Sequence, residues 1–168
     1  MSNPKVLETL KIAIIMEHRA MSLYSTVAGQ TQSAEVRRIF ELMAEEEKTH
    51  IEFLSKQLSG YQKTQSFENL SYPEDTAAGQ VAQIVLSKRI VEAVSGAGFE
   101  AAAISAAIDL ETKSIEAYSA RAQEATDKNE KELYTWLADW ERGHHKMLIE
   151  LNRELTEKVW YDNNFWPF

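Results

Sequence analysis

Apolar residues recur every three or four positions through four long stretches of the chain, a spacing typical of amphipathic helices. The predicted helices cover residues 4–29, 33–59, 99–126 and 127–159. Ser33 and Asp127 stand where the second and fourth helices need an N-terminal cap, and Glu130 completes a capping-box spacing after Asp127. Only a few residues separate the helices within each pair, so we expect two antiparallel hairpins.

A long connection separates the two hairpins. It contains a shorter amphipathic segment, predicted to be helical through Val81, Ile84, Val85 and Lys88. The chain ends in an aromatic tail, which we expect to pack on the bundle or across a dimer, because exposed aromatic residues reduce solubility. The predicted organisation is an all-α four-helix-bundle domain over 1–159, made of hairpins 4–59 and 99–159 with crossover 60–98, and a tail over 160–168.

A carboxylate interrupts the apolar stripe of the first predicted helix. Glu17 lies on the same face as Ala13, Ile14, Met21 and Tyr24. A carboxylate buried without a partner costs several kcal/mol or more. Glu17 is therefore expected to have a partner inside the bundle.

The second hairpin repeats the first at an offset of 94 residues without a gap. The repeat pairs Ala13 with Ala107, Ile14 with Ile108, Glu17 with Glu111, Tyr24 with Tyr118, Glu47 with Glu141 and His50 with His144. Residues three apart project from one face of a helix, so each Glu-x-x-His pair presents an oxygen and a nitrogen toward one point. The candidate metal-ligating and catalytic residues are Glu17, Glu47, His50, Glu111, Glu141 and His144.

The charges of this set suit two divalent cations. Four carboxylates carry a charge of −4, which two M²⁺ ions neutralise if both imidazoles are neutral. Without metal the carboxylates repel one another, so some are expected to have raised pKa values. Oxygen and nitrogen donors without sulfur suit iron or manganese better than a structural zinc site, and another divalent metal could substitute. A metal-free bundle with a buried polar layer is the alternative.

Net charge and composition exclude several classes of function and site. A net charge of −8 argues against nucleic acid as a partner, and the absence of cysteine excludes disulfides and iron–sulfur clusters. No uninterrupted apolar run is long enough to span a membrane, and the amino terminus lacks a signal-peptide pattern. We therefore expect a cytoplasmic protein.

At the six candidate ligands, and at the Glu-x6-Tyr spacing in both halves, the chain resembles the rubrerythrin-type branch of the ferritin-like superfamily. The resemblance implies a left-handed four-helix bundle with a carboxylate-bridged dinuclear iron centre. It implies bridging by Glu47 and Glu141, terminal ligation by Glu17 and Glu111, and one nitrogen per metal from His50 and His144. The chain has no cysteine for a rubredoxin-like domain, and Ser114 stands where rubrerythrins carry an extra glutamate.

The function implied is a di-iron oxidoreductase of ferroxidase or peroxidase type, which oxidises Fe(II) with O₂ or H₂O₂ in oxidant or iron detoxification. A peroxidase would need a separate electron-donor protein, and we expect a homodimer or small homo-oligomer. Alternatives are iron storage or delivery through a ferroxidase centre, a non-catalytic metal-binding bundle, and oxygenation of an organic substrate.

Several neighbouring residues have two interpretations. Tyr24, Tyr118 and Ser114 either pack in the core or orient the metal-binding carboxylates. Glu45 and Glu46 are expected to be solvated, and His18 and His145 to lie off the ligand face. Trp136 and Trp140 are expected to pack against a neighbouring helix or subunit rather than to transfer electrons.

Overall fold

A computed structural model describes residues 4–73 and 98–162 of the chain. These residues form four α-helices and no strand: α1 (Pro4–Gln30), α2 (Ala34–Thr64), α3 (Gly98–Glu124) and α4 (Lys128–Asp162). α1 packs along α2, α3 packs along α4, and α1 also contacts α3. The prediction of an all-helical bundle made of two hairpins is confirmed. No helix in the described ranges is both long and apolar enough to cross a membrane.

The caps of the two hairpin turns agree only in part with the sequence prediction. Ser33 caps α2, because its Oγ accepts a hydrogen bond from the backbone N–H of Val36 at 3.1 Å. Asp127 caps α4 through the N–H of Glu130 at 3.0 Å. The Glu130 carboxylate does not complete the capping box, since it accepts a 2.8 Å hydrogen bond from Arg121 Nε. The Glu130 side chain therefore pairs with Arg121 and not with the backbone N–H of Asp127, as a capping box would require.

α2 runs to Thr64 and does not end near Ser59 as predicted. Gly60 lies inside the helix, where a Cβ atom would come within 2.5 Å of Glu68 Oε1. This glycine makes room for the Glu68 side chain and does not stop the helix. Gln65 follows the last helical residue and caps the helix: its backbone is in the left-handed region, with φ 62°, and its N–H donates to the Tyr61 carbonyl.

The other predicted boundaries shift by a few residues. α3 ends at Glu124 and not Thr126, and α4 continues to Asp162, so residues 160–162 are helical and not part of a tail. The predicted helix in the crossover and the rest of the aromatic tail lie outside the described residues.

Residues 65–73, which follow α2, are held across one end of the bundle by hydrogen bonds. The buried Gln57 side chain donates to the Glu68 carbonyl at 2.8 Å and accepts from the Glu68 N–H at 3.0 Å. Asn129 on α4 donates to the Phe67 carbonyl at 3.0 Å, and Trp136 donates to the Pro73 carbonyl at 3.0 Å. Residues 65–73 therefore tie α2 to α4 before the chain enters the crossover.

The core consists of two apolar clusters with a charged layer between them. One cluster includes Tyr24, Val36, Ile39, Phe40, Met43, Ile104, Leu148 and Leu151. The other includes Val6, Leu10, Leu54, Tyr118, Leu133 and Leu137. Along each helix, one or more buried acidic or histidine residues lie between the parts that join the two clusters: Glu17 on α1, Glu46, Glu47 and His50 on α2, Glu111 on α3, and Glu141 and His144 on α4. The apolar clusters therefore close the charged layer from both ends.

Candidate metal centre

All four helices contribute to the charged layer. α1 supplies Glu17, α2 supplies Glu47 and His50, α3 supplies Glu111, and α4 supplies Glu141 and His144. Each of these side chains is at most 2% exposed. The six residues selected by the repeat are thus brought together in the interior of the bundle.

Their ligand atoms form two overlapping groups. One group contains Glu17, Glu47, His50 and Glu141, and the other contains Glu47, Glu111, Glu141 and His144. Within each group the potential ligand atoms all lie within 4.8 Å of one another. Glu47 and Glu141, the bridging carboxylates that the resemblance implies, belong to both groups. Glu17 and Glu111, the end carboxylates, belong to one group each.

Both histidines turn Nδ1 toward the carboxylates. His50 Nδ1 lies 2.9 Å from Glu47 Oε2 and 3.1 Å from Glu141 Oε1. His144 Nδ1 lies 3.2 Å from Glu47 Oε1 and 3.1 Å from Glu141 Oε2. Glu47 and Glu141 therefore each direct one oxygen toward His50 and the other toward His144, an arrangement that could serve two adjacent cations.

Two tyrosines fix the end carboxylates, and each one acts across the hairpins. Tyr24 on α1 donates its hydroxyl hydrogen bond to Glu111 on α3. Tyr118 on α3 donates in the same way to Glu17 on α1. Both tyrosines are buried, so the structure combines core packing with orientation of a carboxylate.

Burial raises the pKa of both end carboxyl groups well above the usual range. Desolvation is the largest cause for Glu17 and for Glu111, and the negative charge of Glu141 adds to it in both cases. The expectation that some carboxylates have raised pKa values is correct for this pair. Without bound metal, the burial of Glu17 and Glu111 therefore favours their protonated forms.

The bridging carboxylates behave in the opposite way. Burial opposes ionisation of Glu47 and Glu141, but the facing imidazoles outweigh it and hold both carboxyl pKa values below the usual range. Burial likewise disfavours charge on His50 and His144, yet the neighbouring carboxylates raise both imidazole pKa values well above 6.5. In the metal-free protein these four groups therefore form two buried pairs of opposite charge.

Unpaired polar atoms show that the cluster suits cations. Both oxygens of Glu141, Glu47 Oε1 and His144 Nδ1 are buried without a hydrogen bond among the described residues. Buried polar atoms in proteins normally make hydrogen bonds, whereas these atoms have only the ion-pair contacts given above, so their lone pairs remain available to a cation. Divalent cations of the iron and manganese type, which prefer oxygen and imidazole ligands, fit this donor set.

The outer nitrogens of the two histidines have different surroundings, and one of them corrects the sequence prediction. Glu46 is buried rather than solvated, and its Oε2 lies 2.5 Å from His144 Nε2. His50 Nε2 has no hydrogen-bond partner in the described ranges, and the His50 ring lies nearly perpendicular to the rings of Trp136 and Trp140. The helical spacing of Glu46, three residues after Met43 and four before His50, would have placed it on the buried stripe.

The remaining candidates lie outside the two ligand groups. His18 is exposed and His145 is partly buried, and neither contributes to the cluster. Glu45 is exposed as predicted. Ser114 is buried one turn after Glu111, but no hydrogen bond joins its hydroxyl to the six side chains in the described structure. The two tryptophans pack against α2 as predicted.

Sequence comparison agrees with the geometry. The family model for rubrerythrin matches residues 8–151, which include all six clustered residues. No curated protein sequence and no solved structure matches the chain significantly. The matched segment covers most of the four helices. The chain therefore belongs to the rubrerythrin family of the ferritin-like superfamily.

Proposed function

We propose that the protein is a dinuclear non-haem iron oxidoreductase that oxidises Fe(II) with O₂ or H₂O₂, in the detoxification of oxidants or iron. The observation that carries this proposal is the pair of overlapping ligand groups, which share Glu47 and Glu141 and are buried between apolar clusters. Membership of the rubrerythrin family supports the same assignment.

In this proposal each metal position takes one end carboxylate and one histidine. Glu17 and His50 serve one position, Glu111 and His144 serve the other, and both bridging carboxylates contribute to each. Two bound iron ions would together supply the two electrons needed to reduce one peroxide to water. Manganese could occupy the same oxygen and nitrogen donors.

The protein's own groups orient the ligands and exclude water. The hydroxyls of Tyr24 and Tyr118 hold the end carboxylates in place when these are ionised. The apolar clusters above and below the layer keep bulk solvent away, which strengthens electrostatic interactions inside it.

The supply of electrons belongs to the same proposal. Because the chain contains no cysteine, it has no thiolate-bound iron of its own to act as a donor. A peroxidase cycle would therefore draw electrons from a separate protein. We further propose a homodimer or small homo-oligomer in the cytoplasm.

An anaerobic loading experiment tests the oxidation chemistry. The metal-free protein is given two equivalents of Fe²⁺, O₂ or H₂O₂ is added, and ferric absorbance is followed against a protein-free control. We expect the protein to accelerate oxidation and Glu141→Gln to abolish the acceleration, because this substitution removes a bridging carboxylate. Glu45→Gln, at an exposed position on α2, is the matched control. Oxidation no faster than in buffer would contradict the proposal.

A further inference from the structure

The 94-residue repeat is broken beside the metal ligands. Glu46 precedes the bridging Glu47, and the corresponding residue before Glu141 is Trp140. One turn earlier, Leu42 in the first hairpin corresponds to Trp136 in the second. The ligand residues are repeated, but the residues next to them are not.

This break gives the two histidines different partners across the hairpins. His144 Nε2 lies 2.5 Å from the Glu46 carboxylate. The rings of Trp136 and Trp140 lie nearly perpendicular to His50, with centroids 5.2 Å and 5.1 Å away. An indole nitrogen is only a donor, so neither tryptophan offers His50 a carboxylate-like acceptor atom, and an N–H···π contact with the indole face is much weaker.

The difference matters because both histidines present Nδ1 to the carboxylates. If Nδ1 binds a metal, the ring proton stays on Nε2. A carboxylate that accepts this proton fixes the tautomer, holds the ring in place and makes Nδ1 a stronger ligand. Glu46 is placed to do this for His144, whereas no carboxylate contacts Nε2 of His50 among the described residues.

We propose that Glu46 makes the two metal positions unequal, so that the position of Glu111 and His144 binds its ion more tightly. The position of Glu17 and His50 then exchanges its ion more readily. Glu46 is a positioning residue in this scheme, because it acts through His144. The inference rests on the proposed dinuclear centre but not on its oxidation chemistry. Such a centre retains one ion while it exchanges the other.

Anaerobic calorimetric titration of the metal-free protein with Mn²⁺ tests this inference without measuring activity. We expect two separate binding steps, of one ion each, in the unaltered protein. Glu46→Ala should weaken the tighter step about 10- to 100-fold, the range expected when such a partner is removed. Glu46→Gln, which keeps an acceptor oxygen without the charge, should have a smaller effect. Glu45→Gln is the matched control, and circular dichroism checks that each variant is folded.

Two histidine variants locate the steps. His144→Ala should abolish the tighter step and His50→Ala the weaker one. The inference is overturned if the two ions bind equally, if Glu46→Ala leaves both steps unchanged, or if His50→Ala removes the tighter step. Failure of the unaltered protein to bind Mn²⁺ would instead contradict the dinuclear centre itself.

Discussion

At the scale of single residues, the buried cluster balances its own charge before any metal binds. Glu47 and Glu141 are ionised, and the protonated His50 and His144 compensate them. Burial raises the pKa values of the end carboxyl groups Glu17 and Glu111 and so disfavours further negative charge in the cluster. Neutral imidazoles and four ionised carboxylates, as counted from the sequence, therefore describe only the metal-bound state.

The hydroxyl groups of the two clustered tyrosines should contribute measurably to stability. Tyr118→Phe removes the hydrogen bond to Glu17 and leaves a buried carboxyl group without that donor. We expect the free energy of unfolding of the metal-free protein to fall by about 1–3 kcal/mol, measured by urea titration. Tyr24→Phe, which removes the hydrogen bond to Glu111, should lower the free energy of unfolding by a similar amount.

Tyr134→Phe is the matched control for these variants. The Tyr134 hydroxyl is also buried, but it has no hydrogen-bond partner among the described residues. Its removal should leave stability unchanged or slightly increased, because no hydrogen bond is lost. Equal losses for Tyr134→Phe and Tyr118→Phe would show that the Tyr118–Glu17 hydrogen bond contributes nothing.

At the scale of helices, periodicity and repetition predicted most of what the structure contains. The repeat located the six clustered residues because they recur at matching positions on matching faces. It could not locate Glu46, because that position is not repeated and lies within a run of three glutamates. The burial of Glu46 depends on His144, which another helix brings within reach.

The end of α2 shows a second limit of local sequence signals. Glycine usually weakens a helix, and Gly60 therefore indicated its end. The deciding contacts come from residues later in the chain, which pack over this glycine and bond to Gln57. Such contacts become visible only when the path of the chain after the helix is known.

The hydrogen bonds that attach residues 65–73 to α2 can be tested by substitution. Gln57→Ala removes both side-chain hydrogen bonds to the Glu68 backbone. We expect a loss of about 1–3 kcal/mol in the free energy of unfolding, because a buried amide and its backbone partners lose their pairing. Gln62→Ala, at an exposed position on the same helix, should have little effect. Equal effects of the two variants would contradict the role given to Gln57.

At the scale of the whole molecule, the cluster joins the two hairpins. Tyr24–Glu111, Tyr118–Glu17 and Glu46–His144 all connect one hairpin to the other. Each proposed metal position likewise takes three ligands from one hairpin and one from the other. Changes in protonation or metal content of this layer should therefore alter the stability of the bundle as a unit.

The metal-free protein should become less stable as the pH rises. Folding raises the pKa values of His50 and His144, so the protonated imidazoles stabilise the folded state. This stabilisation is full below about pH 6.5, the pKa of an unfolded histidine, and is lost as the pH rises through the pKa values of the folded state. The raised carboxyl pKa values of Glu17 and Glu111 likewise lower the stability of the folded state as the pH rises above about 4.5. Urea titrations of chelator-treated protein between about pH 6 and pH 9 measure this loss.

Bound metal should reverse this dependence, because the ligands bind metal in their deprotonated forms and affinity rises with pH. His18→Gln, at an exposed histidine, should keep the pH dependence of the unaltered metal-free protein, whereas His50→Gln should reduce it. Stability that is constant or rises with pH in the absence of metal would contradict the assigned protonation states.

The presence of both hairpins in one polypeptide has a consequence for how such a centre can evolve. In a symmetric pair of identical hairpins, every substitution would appear twice, and both histidines would keep the same neighbours. Here a carboxylate faces one histidine and an indole faces the other. Because the two repeats lie in one polypeptide, a single amino-acid change can alter one side of the cluster and leave the other side as it is.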